Sequence, residues 1–228
     1  MKAVVAPKRA GRPREKSRAR GQIEKEELRS AILRAASEEF LEHGYEGFSL
    51  RHVAELVGYT PTTIYLYFRD KDELLLEAAR GGFAAFDATI QEAGTHSDPR
   101  ERLRALGLAY FEFGVRNPAL YRLMFMQRAD FLLPRLLGTA SEEASKADPP
   151  VASEVTHRVI AQDLLVEAVR DGMEAGLFLH GEALTKADAL WAGIHGLTAL
   201  ALSPLMSPDH ARSVAGELLG TLIRGLEP

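Results

Sequence analysis

Residues Leu50–Phe68 read LRHVAELVGYTPTTIYLYF, and this stretch decides the fold. Leu50, Val53, Ala54 and Val57 share one face of a short helix that Gly58 ends. Thr60-Pro61 opens a second helix, with a hydroxyl placed to cap it and a proline that presets φ at its first position. Ala54 is small where two helices would cross closely. Gly58 can take the positive φ of a tight inter-helix turn, and Ile64 is apolar where the second helix must return onto the first. Small, glycine, apolar at this spacing is a helix-turn-helix pattern. An ordinary corner in a helical bundle is the alternative. Against it stands the outer face of the second helix, which carries Thr60, Thr62, Thr63, Tyr65 and Tyr67. Hydroxyls and aromatics of this kind suit base edges, thymine methyls and phosphates. Lys71 sits at the next helix start, where an ammonium and free backbone amides could hold one phosphate.

Helical periodicity extends outward in both directions. Upstream, Leu28, Ile32, Ala36 and Phe40 recur at i+4 and predict an amphipathic helix that stops near Gly44. Ser49 is placed to cap the helix that follows. Downstream, Asp70 caps a helix with Glu73 in the capping-box position, and Leu75, Ala79, Phe83, Phe86 and Ile90 continue its apolar face. Residues Ala93–Pro99 break the pattern. Helices are then expected over Arg100–Arg116, from Asn117-Pro118 through Phe125, over Val151–Gly176, over Trp191–Ser203, and from a Ser207-Pro208-Asp209 cap to Leu226. Pro134 reads as a kink and Gly138–Pro150 as a loop. Sustained period-2 alternation is missing, so the expectation is an all-α chain of about nine helices. Three segments are expected: a basic arm without regular structure at 1–24, a helix-turn-helix unit at 25–75, and a helical ligand-binding and dimerisation domain at 76–228.

Charge is unevenly spread. The 228 residues carry a net −4, but residues 1–20 hold +7, which leaves −11 on the rest. A basic arm on an acidic body fits a polyanionic partner or a solvated tail. There is no Cys, which excludes thiol catalysis, disulfides and thiolate metal sites. The first residues lack the apolar stretch of a signal peptide, so a cytoplasmic protein is expected. Ala189–Pro208 carries no formal charge, but its Gly, Ser, His and Pro content fits a helix buried in protein better than a membrane span. No membrane association is expected.

The run from Ser49 to Leu74, and above all Ile64-Tyr-Leu-Tyr-Phe68 followed by Lys71-Asp-Glu-Leu74, resembles the DNA-binding domain of TetR-family bacterial transcriptional regulators. The resemblance reaches back through the helix ending Phe40-Leu-Glu-His-Gly44-Tyr45. Farther on, Trp191-Ala-Gly-Ile-His195-Gly196 resembles the Trp-His-Gly signature of one subgroup of C-terminal domains. The resemblance implies a homodimer that binds a double-stranded, pseudo-palindromic operator, most often as a repressor released by a small effector. By position, it puts Ser49 and Arg51 at the DNA backbone, Thr60, Thr62, Thr63 and Tyr65 in the major groove, and Tyr67 and Lys71 on phosphates. Several family members carry Glu or Asp where this chain has His52, which implies a weaker cap on the helix. Arg9-Ala-Gly-Arg12-Pro-Arg14 is similar to the core of an AT-hook, so Arg12 and Arg14 either enter a narrow minor groove or contact phosphates only.

The second half offers candidate effector contacts. Tyr110, Phe111, Tyr121, Met124, Phe125, Met126 and Phe131 supply an aromatic and adaptable apolar wall, although core packing accounts for most such residues. Trp191 and His195 lie one turn apart, either as a sensing pair or as a core Trp with a hydrogen-bonded His. Gly193 and Gly196 would let another helix approach, so the last two helices are expected to form the dimer seam. The series Asp163, Glu167, Asp171 and Glu174 reads as a solvated face. The seven His residues show no His-x-x-x-His spacing and no nucleophile stands beside a base. No catalytic residue, metal site or cofactor is therefore expected. An all-α enzyme and a protein-interaction adaptor are the rival readings; the adaptor would have lost Tyr67, Lys71 or the arm, and all are present.

Overall fold

Caps and glycines set the helix boundaries. In the computed structural model the backbone is described for residues 13–126 and 152–228, and the side chains for 21–126 and 160–228. Among the described residues there are nine α-helices and no strand. They are α1 (Pro13–Gly47), α2 (Leu50–Leu56), α3 (Pro61–Tyr65), α4 (Lys71–Ala93), α5 (Pro99–Arg116), α6 (Pro118–Tyr121), α7 (Ala152–Glu174), α8 (Ala183–Ala201) and α9 (Pro208–Arg224). The all-α expectation holds. Arg12, Phe131, Pro134 and the 138–150 loop lie outside the described residues, as does the side chain of Arg14.

Three boundaries differ from expectation, one of them in α8, which was expected to begin at Trp191 and begins at Ala183. The arm was expected to lack structure through residue 24, yet α1 begins at Pro13. Proline suits the first helical position, and the Arg, Glu, Lys and Ala residues behind it are good helix formers. Pro13 and Arg14 are thus helical rather than extended. In addition, the helix expected to run through Phe125 changes pitch: α6 stops at Tyr121 and a π-helical turn spans Arg122–Met126. There the Arg122 guanidinium donates to the carbonyl of Leu202, just past the end of α8.

α1 to α3 form one unit around Ile32, Ala36, Phe40, Val53, Ala54 and Ile64, all at most 1% exposed. Gly44 adopts φ 65° and breaks α1 where the sequence reading stopped it. After α2 the amide of Gly58 donates to Glu55 O (3.1 Å) and that of Tyr59 to Ala54 O (2.9 Å). This is a Schellman ending, which needs the positive φ of 75° that Gly58 supplies.

α4 runs unbroken across the boundary expected at residue 75. Its first turns bury Leu74, Leu75 and Ala78, and its later turns bury Phe83, Phe86 and Ile90. It packs on α1 at one end and on α5 and α7 along its length. Arg29 of α1 pairs with Glu77 of α4 at 2.5 Å. α5 also packs on α8 and α9, and α8 packs on α9. No described helix is long and apolar enough to cross a membrane.

Candidate functional site

The outward face of α2 and α3 is largely polar. Arg51, Thr60, Thr62 and Tyr65 are exposed; Ser49, Thr63, Tyr67 and Lys71 are half-buried. Buried Ile64 anchors α3 from behind, so neighbouring side chains project outward. The same face carries apolar groups the sequence reading passed over. Leu66 is 79% exposed and Tyr59 49%. The signal was available: Tyr59, Thr62, Thr63 and Leu66 follow helical spacing.

Several of these residues have second duties. Lys71 Nζ donates to the carbonyl of Tyr45 (3.2 Å) and lies 4.0 Å from the Tyr45 ring centre. Tyr45 in turn donates its hydroxyl to Asp72 (2.5 Å). The end of α1 is thereby tied to the start of α4, and Lys71 keeps further N–H donors. Arg51 pairs with Glu55 at 3.3 Å. Thr60 makes no side-chain cap, contrary to expectation. The Thr63 amide is taken by the backbone carbonyl of Thr60 (2.9 Å), and the two hydroxyls lie 3.2 Å apart. Asp70 does cap α4, accepting from Glu73 N (2.8 Å). The Glu73 carboxylate accepts from the Arg69 amide (2.6 Å), one residue ahead of the usual capping-box partner.

The cap on α2 has a different construction. Ser49 Oγ accepts from His52 N (3.3 Å). An acidic residue in place of His52 could reach back to the Ser49 amide. Here Glu39 of α1 takes that amide instead (3.2 Å), and its other carboxylate oxygen lies 2.5 Å from His52 Nδ1. The weakened cap expected at His52 is thus compensated from a neighbouring helix. Glu39 Oε2 is also 3.2 Å from His43 Nδ1. The candidate ligand atoms of Glu39, His43 and His52 thus all lie within 4.8 Å of one another. His-x-x-x-His spacing does not reveal this group, because one pair is Glu-x-x-x-His and His52 arrives from another helix.

In the C-terminal part, α4, α5, α7, α8 and α9 enclose a cavity of about 450 Å³. Of the expected effector contacts, Tyr110, Phe125 and Trp191 line it. Phe111, Tyr121 and Met124 do not; each is at most 1% exposed and packed in the core. Phe83, Phe86 and Ile90 of α4, Leu103 and Leu106 of α5, Leu165 of α7 and Ile194 of α8 complete most of the apolar wall. The sequence reading placed several of them on buried faces, but periodicity does not separate a face against atoms from a face against space. Gln162 and Asp188, 3.0 Å apart, form a polar edge.

His195 stands behind the wall in a polar network. Burial lowers its pKa, which favours the neutral ring. Burial and the neighbouring Tyr110 push the Tyr121 hydroxyl well above its ordinary range. Trp191 Nε1–H donates to the Tyr110 oxygen (3.2 Å). The Tyr110 and Tyr121 hydroxyls lie 3.0 Å from each other, and 2.9 Å and 2.6 Å from His195 Nδ1. Trp191 faces the cavity, and His195 is half-buried and hydrogen-bonded to Tyr110 and Tyr121. Gly193 serves packing within the chain, since a Cβ there would meet Leu222 of α9 at 2.6 Å. At Gly196 a Cβ would meet nothing within 4 Å. Asp163, Glu167, Asp171 and Glu174 are all exposed, as expected, and Asp171 pairs with Arg102 at 2.7 Å.

Two family descriptions match the chain. Residues 32–78 match "Bacterial regulatory proteins, tetR family", and residues 103–222 match "Tetracyclin repressor-like, C-terminal domain". The chain belongs to the TetR family. Its helix-turn-helix unit and its Trp191…His195-Gly196 domain are the two halves of a TetR-family transcriptional regulator. Among relatives, the transcriptional activator FasR of Mycolicibacterium smegmatis is 28% identical over 172 residues, 74% of this chain and 70% of FasR. The transcriptional repressor AcnR of Corynebacterium efficiens is 39% identical over 66 residues, covering 29% of this chain and 35% of AcnR. The structure of FadR from Bacillus subtilis in complex with stearoyl-CoA superimposes with a TM-score of 0.65 at 17% identity, covering 87% of this chain and 99% of that one.

Proposed function

We propose that this TetR-family regulator is a ligand-responsive repressor acting in the cytoplasm. As a homodimer it binds a pseudo-palindromic operator, and a small apolar effector releases it. The observation that carries this reading is α4, whose first turns join the core of the DNA-side unit while Phe83, Phe86 and Ile90 line the cavity. A ligand that favours one position of α4 thereby favours one spacing of the two recognition helices. The coupling required is modest, about 1–3 kcal/mol per effector. A ligand bound equally by both conformers would shift nothing.

The volume of about 450 Å³ lies in the usual range for ligand pockets, about 300–1,000 Å³. Its wall suits an acyl chain or an aromatic body, in keeping with the stearoyl-CoA held by FadR. Dimerisation through α8 and α9 is supported by an outer face of α8 that carries Ala189, Ala192, Gly196 and Leu200, all exposed. A small, uncharged stripe of this kind suits close approach by a second copy. In the DNA-binding role Thr60, Thr62, Thr63 and Tyr65 read the major groove, and Ser49, Arg51, Tyr67 and Lys71 hold the backbone. The basic arm with Arg12 and Arg14 adds salt-dependent affinity.

The test is selection of bound duplexes from a random pool, followed by titration of stearoyl-CoA onto the selected complex. An inverted repeat released by the acyl-CoA is the expected result. Recovery of AT-rich DNA without symmetry overturns the dimeric repressor reading. Lys71→Ala is expected to weaken binding to all sequences and flatten the salt slope, and Thr62→Ala to change base preference. A reporter driven by the selected operator gives the sign of regulation: loss of the protein raises expression for a repressor and lowers it for an activator of the FasR kind.

A further inference from the structure

We propose that Glu39, His43 and His52 form a binding site for a divalent transition-metal ion of the zinc class, at the junction of α1 and α2 and apart from the effector cavity. Their candidate ligand atoms all lie within 4.8 Å of one another. Glu39 and His43 sit one turn apart on α1, and His52 enters from the first turn of α2. The donor set of two imidazoles and one carboxylate is that of open zinc sites, in which a water or exogenous ligand takes the fourth position.

The distances are close to those a metal needs. Ligand atoms about 2.0–2.2 Å from a tetrahedral ion stand roughly 3.3 Å apart. Glu39 Oε2 already lies 3.2 Å from His43 Nδ1. The 2.5 Å approach to His52 Nδ1 must open by less than about 1 Å. The two imidazoles have room to adjust, being 43% and 42% exposed, and their exposure gives an ion its entry path.

Glu39 is the anchor. Its side chain is 2% exposed, and among the described residues its ion-pair partners are these two imidazoles. A buried carboxylate calls for a positive charge nearby, which a divalent ion supplies. Oε1 is held by the Ser49 amide, which aims Oε2 at the two rings as an outer-shell contact does in metal sites. Nitrogen and oxygen donors of this mixture favour zinc, cobalt and nickel over magnesium and calcium. Occupancy joins α1 directly to α2 behind Ser49, so it raises the stability of the DNA-side unit and its affinity for DNA.

The experiment uses untagged full-length protein stripped with chelator. Zinc is titrated by calorimetry and cobalt by visible absorption, with unfolding midpoints measured with and without zinc. The expected result is saturable binding of one equivalent, indifferent to excess magnesium, and a raised unfolding midpoint. His43→Gln, whose side chain lies outside the α2 cap, is expected to weaken binding by about tenfold or more while leaving the apo midpoint unchanged. His52→Gln is expected to weaken zinc binding likewise, and His210→Gln, an exposed His of α9, to change nothing. Absence of saturable binding overturns the proposal. So does equal affinity in the His43→Gln and His210→Gln proteins.

Discussion

The α2–α3 corner and the C-terminal cavity are built at different ranges along the chain. The cap and turn partners at the corner lie three to ten residues apart: Ser49 with His52, Tyr59 with Ala54, Asp70 with Glu73, Ser49 with Glu39. The cavity draws its wall from residues 83 to 219 and from five helices. A corner of that kind carries its instructions in its own spelling. A cavity exists only once distant helices have met. The corner is therefore expected to respond to changes in caps and turn residues, and the cavity to changes in helix packing.

The largest expected effect separates the two regions outright. Ile64→Ala removes a side chain with 0% exposure, at a cost of about 2–5 kcal/mol. DNA binding should be lost while effector binding, followed by ligand fluorescence, persists. Parallel loss of both would mean that one cooperative unit spans them. Next is Gly114→Val on α5. A Cβ there would stand 2.4 Å from Thr198 Cγ2 and 2.9 Å from Tyr121 Cδ2. Overpacking at such a place costs about 1–3 kcal/mol. The variant should keep operator binding but release poorly with effector, because Tyr121 is driven off its hydrogen bond to His195.

A smaller effect sharpens the local side of the comparison. Ser49→Ala deletes the side-chain cap of α2 and should cost about 1 kcal/mol, seen in denaturant unfolding and in operator affinity but not in effector affinity. The smallest concerns the link between the regions. Burial alone would raise the pKa of Glu77, but the guanidinium groups of Arg80 and Arg29 outweigh it and hold the carboxyl below its ordinary value. A depressed carboxyl stabilises the fold above its unfolded pKa and loses that contribution as pH falls through the folded pKa. The unfolding midpoint of the native protein should therefore decline more steeply with acid below the ordinary glutamate range than that of Glu77→Gln. At neutral pH the difference should stay under about 1 kcal/mol, since both Arg29 and Glu77 are partly exposed.

Most of the helices were legible because their signals are short-range. Asp70 and Ser207 cap where expected, Gly44 and Gly58 end helices with positive φ, and Ile32, Ala36, Phe40 and Ile64 are buried as their spacing implied. The misreadings share a cause. Thr60 had the right residue type for a cap, but the backbone carbonyl already held the amide it would have served. His52 looked like a weaker cap, and Glu39 supplied the missing acceptor from ten residues upstream of Ser49. Tyr121 and Met124 had the right chemistry for a pocket wall, yet they face the core.

Hydrophobic period, cap residues and glycines act over one or two turns, and they were enough to specify an all-α chain with a helix-turn-helix unit. Whether a buried aromatic meets atoms or empty space depends on where other helices lie. Folding therefore assigned Phe83, Phe86 and Leu165 to the cavity, and Phe111 and Met124 to solid core. It also joined Trp191, Tyr110, Tyr121 and His195 across 85 residues of chain, and brought His52 to Glu39 and His43. The physical reason is range: backbone preferences and caps are properties of neighbours in sequence, whereas cavities and side-chain clusters are properties of neighbours in space.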